Sequence, residues 1–421
     1  MKILVVGGGA REHTIVWKLS RSPKVKEIFV APGNAGTARL AHNLDISPTD
    51  IQTLVNTAIE NKIDLTVVGP EAPLAEGIVD EFQARGLQIF GPTKATAQIE
   101  ASKVFAKELM QKYNIPCAES ASFSSYTEAR KYLEKQTPPI VIKADGLAAG
   151  KGVIVAETME QAQQALTSIM QDRAFGSAGD RVLIEEKLNG KEMSVFSFAD
   201  ASTSMPSMPA CDYKPVFDGN RGPNTGGMGS YSPPQFLAPE LFKTINDTIM
   251  QPTVRAMQNE GVPYQGVLYG GLMITDAGPK VMEFNARFGD PETQVVLPRL
   301  KTDLLDIMLA VINNNLNRID IEWSDNACVG VVMASGGYPG SYNKGLPISG
   351  LDELDDDILV FHAGTKLDSA GRVVTNGGRV LTVVATADTI AHAREKVYNN
   401  ISRIQFEGCH YRRDIALFDK R

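Results

Sequence analysis

The chain has no apolar run as long as a membrane span, no basic excess, no paired cysteines and no internal repeat. Each absence closes a class of function. Without about 20 consecutive apolar residues nothing can cross a bilayer as a helix. The short apolar start, Ile3 to Val6, lacks the long hydrophobic core and small-residue cleavage site of a secretion signal. A net charge of −7 and a pI near 5.4 offer no basic face to nucleic acid. Cys117, Cys211, Cys328 and Cys409 are scattered, with no Cys-x-x-Cys pair and no histidine at zinc spacing. They read as reduced, mostly buried thiols, and the protein as cytoplasmic. The five histidines are equally dispersed, and no Ser-His-Asp or Cys-His pattern suggests a covalent nucleophile.

What is present is a long, glycine-punctuated α/β sequence. At 421 residues the chain exceeds one ordinary core, so about two to four domains are expected. Residues 1 to 101 alternate short apolar runs (Ile3–Val6, Glu27–Val30, Leu65–Val68, Gln88–Phe90) with helical spacing, which predicts a doubly wound parallel sheet. Loops carrying Gly8, Gly9, Arg11 and Glu12, then Gly33 and Asn34, then Glu71, follow these strands and should converge at their carboxyl ends. The first loop is a poor dinucleotide fingerprint, because Glu12 stands at the third glycine position. One phosphate on the helix N-terminus, helped by Arg11, fits better; a tight packing turn is the plainer alternative.

The stretch Ile142 to Val153, IKADGLAAGKGV, predicts strand, glycine-rich loop, strand. Such a loop can present backbone amides to an anion, with Lys143 and Lys151 flanking it. It is not a Walker A loop: only three residues separate Gly146 from Gly150, and Gly152 rather than Ser or Thr follows Lys151. A helix capped by Ser102 precedes it, and the compact unit from about 118 to 188 could move as a lid. The polar, glycine-rich segment Asp212 to Gly229 reads as a long functional loop. Gly266 to Ile274 reads as a strand buried on both faces. In Lys280 to Phe288, alternation puts Glu283, Asn285 and Arg287 on one face and Met282, Phe284 and Phe288 on the other. Glu283 and Asn285 suit a hard cation completed by phosphate oxygens and water, with a solvated strand face as the alternative. Boundaries fall near 102 and 326, giving an N-terminal sheet domain, a central unit over 102–325 and a small α+β domain over 326–421.

The runs GGGAREH, KADGLAAGKGV, EEKLNGKEMS, DYKPVFDGNRGPNTGGMG and MEFNARFGDPE, in that order, resemble the ATP-grasp enzymes and, among them, the glycinamide ribonucleotide synthetase family. The resemblance covers the whole chain. It implies a central ATP-grasp fold with a mobile lid and ligation of glycine to 5-phosphoribosylamine through glycyl phosphate, using ATP and Mg²⁺ or Mn²⁺. By the same resemblance Lys103 and Lys143 reach the ATP phosphates and the loop of Asp145, Gly146, Gly150, Lys151 and Gly152 closes over them. Glu185, Glu186 and Leu188 would contact adenine and Glu192 the ribose, while Glu283 and Asn285 would ligate the metal. Arg287 would join Lys103 and Lys143 in spreading charge on the transferring phosphoryl group. Asp212 is the candidate partner for glycine's ammonium group, with Lys214, Asn224, Thr225, Gly226 and Gly227 completing the substrate site. In one departure, Gly271 stands where many ATP-grasp relatives carry a further metal-binding acid. Other ATP-grasp ligases or carboxylases, a nicotinamide-dependent oxidoreductase and a non-catalytic nucleotide sensor are the competing readings. A monomer without nucleic-acid or membrane partners is expected.

Overall fold

The apolar runs near the N-terminus form a five-stranded parallel sheet in the computed structural model of the chain, which describes residues 1–147 and 152–418. Its strands are β1 (Lys2–Gly7), β2 (Glu27–Pro32), β3 (His42–Asn43), β4 (Leu65–Val68) and β5 (Ile89–Phe90), in the order β3-β2-β1-β4-β5. Ile3, Leu4, Val5 and Val6 are each 0% exposed, as expected where helices cover both faces of a sheet. The edge strand β3 is additional to the sequence reading. His42 and Asn43 carry no strand signal and pair only because Phe29 and Val30 lie alongside. The order reverses beside β1, so the loops after β1 and β4 face each other across a crevice.

The next unit is an antiparallel sheet of β6 (Ser120–Phe123), β7 (Ile140–Ala144), β8 (Val153–Ala156) and β9 (Val182–Glu186), ordered β6-β9-β7-β8. Helices Tyr126–Leu133 and Met159–Met170 pack on it. Its core of Ala129, Leu133, Ile142, Leu166 and Ile184 forms a cluster of its own, separate from the two large cores. The preceding helix, Lys103–Lys112, starts where the sequence predicts, with the Ser102 side chain accepting from Phe105 N at 3.1 Å.

The chain continues through β10 (Lys191–Asp200), β11 (Ser204–Pro206), β12 (Cys211–Asp212), β13 (Pro215–Phe217), β14 (Arg221–Asn224), β15 (Gly229–Ser232), β16 (Gln265–Thr275) and β17 (Gly278–Asn285). Strands β11, β10, β16 and β17 make the central sheet. The Asp212–Gly229 segment is therefore not the unstructured loop its composition suggests. β13 and β14 close a hairpin at Gly219 and Asn220, both with positive φ, a turn that the Asp-Gly-Asn sequence favours. β12 pairs with β15, and β15 pairs in turn with β18 (Ala327–Ala334), far along the chain, which carries both into the last sheet, an arrangement a local reading could not foresee. The remaining strands are β19 (Leu359–His362), β20 (Thr365–Leu367), β21 (Val373–Thr375) and β22 (Arg379–Ala387). The last sheet runs β12-β15-β18-β22-β19, so it crosses the boundary expected at 326. The helical run over 239–259 also departs from a single helix. A π-type turn at Asn246–Met250 precedes Pro252, which has no N–H to donate and crowds the carbonyl one turn back.

First and last domains meet at two buried histidines. His13 Nδ1 accepts from His362 N at 2.8 Å, and Asn34 Nδ2 donates to His362 O at 2.8 Å. Burial first, then neighbouring positive charge, lowers His13 to about 3 and His362 to about 4 from 6.5. Both are neutral in the fold, whereas the unfolded chain protonates them as pH drops below 6.5. Stability should therefore fall with acidification, by roughly 1.4 kcal/mol per pH unit for each histidine. Urea unfolding at pH 7 and pH 5 should show about 2 kcal/mol less acid destabilisation in His13→Asn than in the parent; equal pH dependence would contradict this.

Candidate active site

Two buried lysines share one carboxylate at the base of the glycine-rich loop. Lys143, on β7, places Nζ 2.6 Å from Glu185 Oε2, and Lys107 Nζ lies 2.8 Å from Glu185 Oε1. Lys143 also donates to Met282 O at 2.9 Å, which fastens the foot of the loop to β17. The Glu185 side chain, expected at adenine, is thus spent on lysines. Lys103 donates to Gly146 O at 2.9 Å. Burial lowers its pKa, with Lys143 acting the same way and Glu283 opposing. Asp145 accepts from Ser102 Oγ at 3.0 Å and Val104 N at 3.1 Å and lies 2.6 Å from Arg181 Nη2. Its carboxylate therefore caps the helix Lys103–Lys112 instead of facing the cleft. Gly152 O accepts from Ala144 N at 2.8 Å, while Gly150 and Lys151 lie outside the described residues. Glu186 Oε1 sits 2.9 Å from Lys280 Nζ, and Leu188 is half-buried on the connection to β10.

On β17 the predicted alternation is broken by a bulge. Glu283 pairs with Gly271, but Leu272 pairs with Val281, so Met282 is the extra residue. Val281, not Met282, joins Phe284 in the core, at 0% and 3% exposure. Glu283 and Asn285 stay together on the half-buried face, and Arg287 lies beyond the strand end. The register places Gly271 opposite Glu283, so the preceding strand supplies no second acid there. Acids arrive from elsewhere. Lys214 donates to Asp212 Oδ2 at 2.6 Å. Burial alone would lower its pKa, but Asp212, Glu292 and Glu283 raise it on balance. Burial and the charge of Asp212 push Glu192 up.

Glu292 was missed by the sequence reading. It is 2% exposed, and its Oε1 accepts from Tyr269 OH at 3.0 Å and Ser194 Oγ at 3.1 Å. Burial, reinforced by Asp212, raises its pKa. It is the last residue of the run MEFNARFGDPE, in which the sequence reading singled out only Glu283, Asn285 and Arg287 for the site. Among the described residues no group of three or more His, Cys, Asp or Glu is placed to hold a metal unaided. Glu283 and Asn285 set a carboxylate and an amide oxygen on one face, a pair whose chemistry suits a cation that takes its other oxygens from phosphate and water.

Arg287 reaches the first domain. Its Nη2 is 3.0 Å from Glu100 Oε1 and its Nε 3.3 Å from Glu71 Oε2, while Glu100 Oε2 accepts from Ala286 N at 2.7 Å. Glu100, also missed, is 9% exposed, and burial raises its pKa. Burial would raise Glu71 too, but Arg287 and Arg11 hold it below the ordinary range.

The helix Ala10–Leu19 closes part of its own N-terminus. The amide of its N-cap, Gly9, donates to Glu12 Oε2 at 2.6 Å, so one amide of the expected phosphate place is taken by the chain's own carboxylate. A Cβ on Gly7 or Gly69 would fall 2.5 Å or 2.1 Å from Glu12 atoms, so glycine at both positions makes room for that carboxylate. Arg11 is buried beside it, with Nε 2.7 Å from Glu12 Oε1 and Nη1 donating to Phe288 O at 3.1 Å. Gly8 touches the next loop, where an added Cβ would meet Gly33 O at 2.7 Å. The Asn34 amide is committed to Gly8 O, His362 O, Gly36 N and Thr37 N.

The glycine-rich segment after β14 is tied down from several sides. Asn224 is exposed, and Thr225 Oγ1 donates to Lys214 O at 2.7 Å and accepts from Gly227 N at 2.9 Å. Arg379 Nη1, from β22, donates to Gly226 O at 2.7 Å and Asp290 O at 2.9 Å. Contacts of Arg11, Asn34, Arg287 and Arg379 thus join all three parts of the chain.

Profiles of the phosphoribosylglycinamide synthetase N, ATP-grasp (A) and C domains match residues 1–100, 101–293 and 328–417. A phosphoribosylamine–glycine ligase of Caldanaerobacter subterraneus is 51% identical over 416 residues, covering 99% of each chain. The chain belongs to the phosphoribosylglycinamide synthetase family. A second such ligase, from Escherichia coli O157:H7, is 49% identical over 421 residues, 99% of this chain and 98% of its own. The crystal structure of the Thermotoga maritima phosphoribosylamine–glycine ligase superposes with a TM-score of 0.84 at 33% identity, covering 99% of this chain and all of that one. The biotin carboxylase domain of a Hydrogenobacter thermophilus 2-oxoglutarate carboxylase shares the fold alone, at 14% identity and a TM-score of 0.75 over 97% of this chain and 91% of its own. The synthetase family's three-domain architecture thus accounts for all the sheets described above.

The buried lysine pair yields a stability test. Glu185→Gln leaves two ammonium groups without their shared carboxylate and should lower the unfolding free energy by about 3 kcal/mol. Adding Lys107→Met should recover part of that loss in denaturant titrations. A loss below about 1 kcal/mol would mean that the pair behaves as an exposed one.

Proposed function

We propose that the chain joins glycine to 5-phosphoribosylamine at the expense of ATP, releasing glycinamide ribonucleotide, ADP and phosphate in de novo purine biosynthesis. One observation carries the reading: Lys143, at the foot of the glycine-rich loop, bonds to the backbone of the Glu283 strand, so phosphate grip and acid face border the same cleft. A carboxylate is a poor electrophile, and amide formation in water runs uphill. Glycine's carboxylate attacks the γ-phosphate of ATP to give glycyl phosphate, and the sugar amine then displaces phosphate. No covalent enzyme nucleophile is required. Position and electrostatics supply the catalysis.

The roles divide by location. Lys103 and Lys143 meet the phosphates, and Arg287 steadies charge on the transferring group. Glu283 and Asn285 would hold Mg²⁺ or Mn²⁺, which when bound neutralises phosphate charge. Main-chain groups at Glu186 and Leu188 face adenine, and Glu192 the ribose. Asp212, flanked by Glu192 and Glu292, makes a negative pocket for glycine's ammonium group beside Lys214. The mouth bordered by Gly8, Gly33 and Glu71 takes the phosphoribosyl group, with Arg11 and Glu12 forming its wall. Closure of the β6–β9 unit excludes water from the acyl phosphate. The enzyme works as a cytoplasmic monomer.

ADP release should require both glycine and freshly generated phosphoribosylamine; release with neither or only one at the full rate would refute the assignment. Asp212→Asn should raise KM for glycine about tenfold, as loss of a charged hydrogen bond does, and an unchanged KM would remove that role. Glu283→Gln should depress turnover and raise the Mg²⁺ concentration needed for half-maximal rate, and parental behaviour in both would remove the metal assignment.

A further inference from the structure

Arg287 is held unequally by its two carboxylates. Glu100 is the fixed partner. It sits 3.0 Å from Nη2 with a side chain only 7% exposed, and its second oxygen is anchored by Ala286 N. Glu71 is the loose one, 3.3 Å from Nε with a side chain 35% exposed. At that contact the buried Nε makes no hydrogen bond among the described residues. The guanidinium makes one hydrogen bond among the described residues, from Nη1 to Phe288 O at 3.3 Å, and both carboxylates hold it as ion pairs, so an incoming oxygen could replace the more exposed Glu71 at small cost. Glu71 also begins the helix Glu71–Glu76 directly after β4, at the crevice where the first domain would take the sugar.

We propose that Glu71 is a positioning residue for Arg287, restraining its guanidinium until the sugar amine binds and so tying ATP cleavage to the presence of that amine. The inference rests on the reading above, in which Arg287 meets the transferring phosphoryl group. Hydroxyl or amine groups of the sugar engage the Glu71 carboxylate, draw it off Nε and leave that N–H for the phosphoryl oxygens. Without this restraint, glycyl phosphate forms with no amine to receive the glycyl group. Water then attacks it, and the balance is ATP plus water giving ADP and phosphate with glycine regenerated.

The test compares ADP release from ATP and glycine with and without phosphoribosylamine. In Glu71→Gln the amine-independent rate itself should rise roughly fivefold or more, the size of a typical coupling between sites. Glu71→Asp keeps the charge but shortens the reach, and should raise it less. No rise in either variant, with both rates falling together, would make Glu71 merely structural and overturn the inference. Arg287→Lys separates the two claims: if it leaves glycine-dependent ADP release intact, the placement of Arg287 at the phosphoryl group fails, whatever Glu71 does.

Discussion

Charge buried where separate parts of a chain meet must find its opposite, because an unmatched ion in such a place costs several kcal/mol. This constraint organises the cleft. Lys143 and Lys107 share Glu185 under the glycine-rich loop, Arg287 ties Glu100 and Glu71 to the end of β17, and Arg379 bonds Asp290 and Gly226 from the last domain. Each contact crosses between elements remote in sequence. The domains are therefore held together by the same side chains that are proposed for the site.

The arrangement also explains why so acidic a chain can handle anionic substrates. Its net charge is −7, yet lysines and arginines gather at the loop foot and the domain junction. Opposite them stands a group of acids, Glu192, Asp212, Glu283 and Glu292, around the single ammonium of Lys214. A nucleotide phosphate suits the first group. An amino acid's ammonium suits the second. An enzyme that activates a carboxylate while sparing the neighbouring amine needs both, a short distance apart.

Local features were legible in the sequence, and long-range ones were not. Apolar runs gave the parallel sheet, and the side-chain cap at Ser102 marked a helix that starts at the next residue. The short strands β12 and β15 were invisible, because they flank a glycine-rich polar stretch and pair with each other and, through β15, with the distant β18. The bulge at Met282 was equally hidden, since alternation assumes an unbroken register. Glu283, Asn285 and the lysines announced themselves by spacing or by resemblance. Glu100 and Glu292 did not, as each acquires meaning from partners on other elements. At the first helix the glycines that suggested an open anion cradle make room for Glu12, a use of glycine that spacing alone does not reveal.

The central claim is that the glycine-rich loop and the Glu283 strand close on one nucleotide between them. Hydrogen exchange with and without a non-hydrolysable ATP analogue and Mg²⁺ tests it most directly. Amides from Lys143 to Val153 and from Met282 to Arg287 should gain protection together, at the same analogue concentration. Protection of one segment while the other exchanges as in the ligand-free protein would contradict the account.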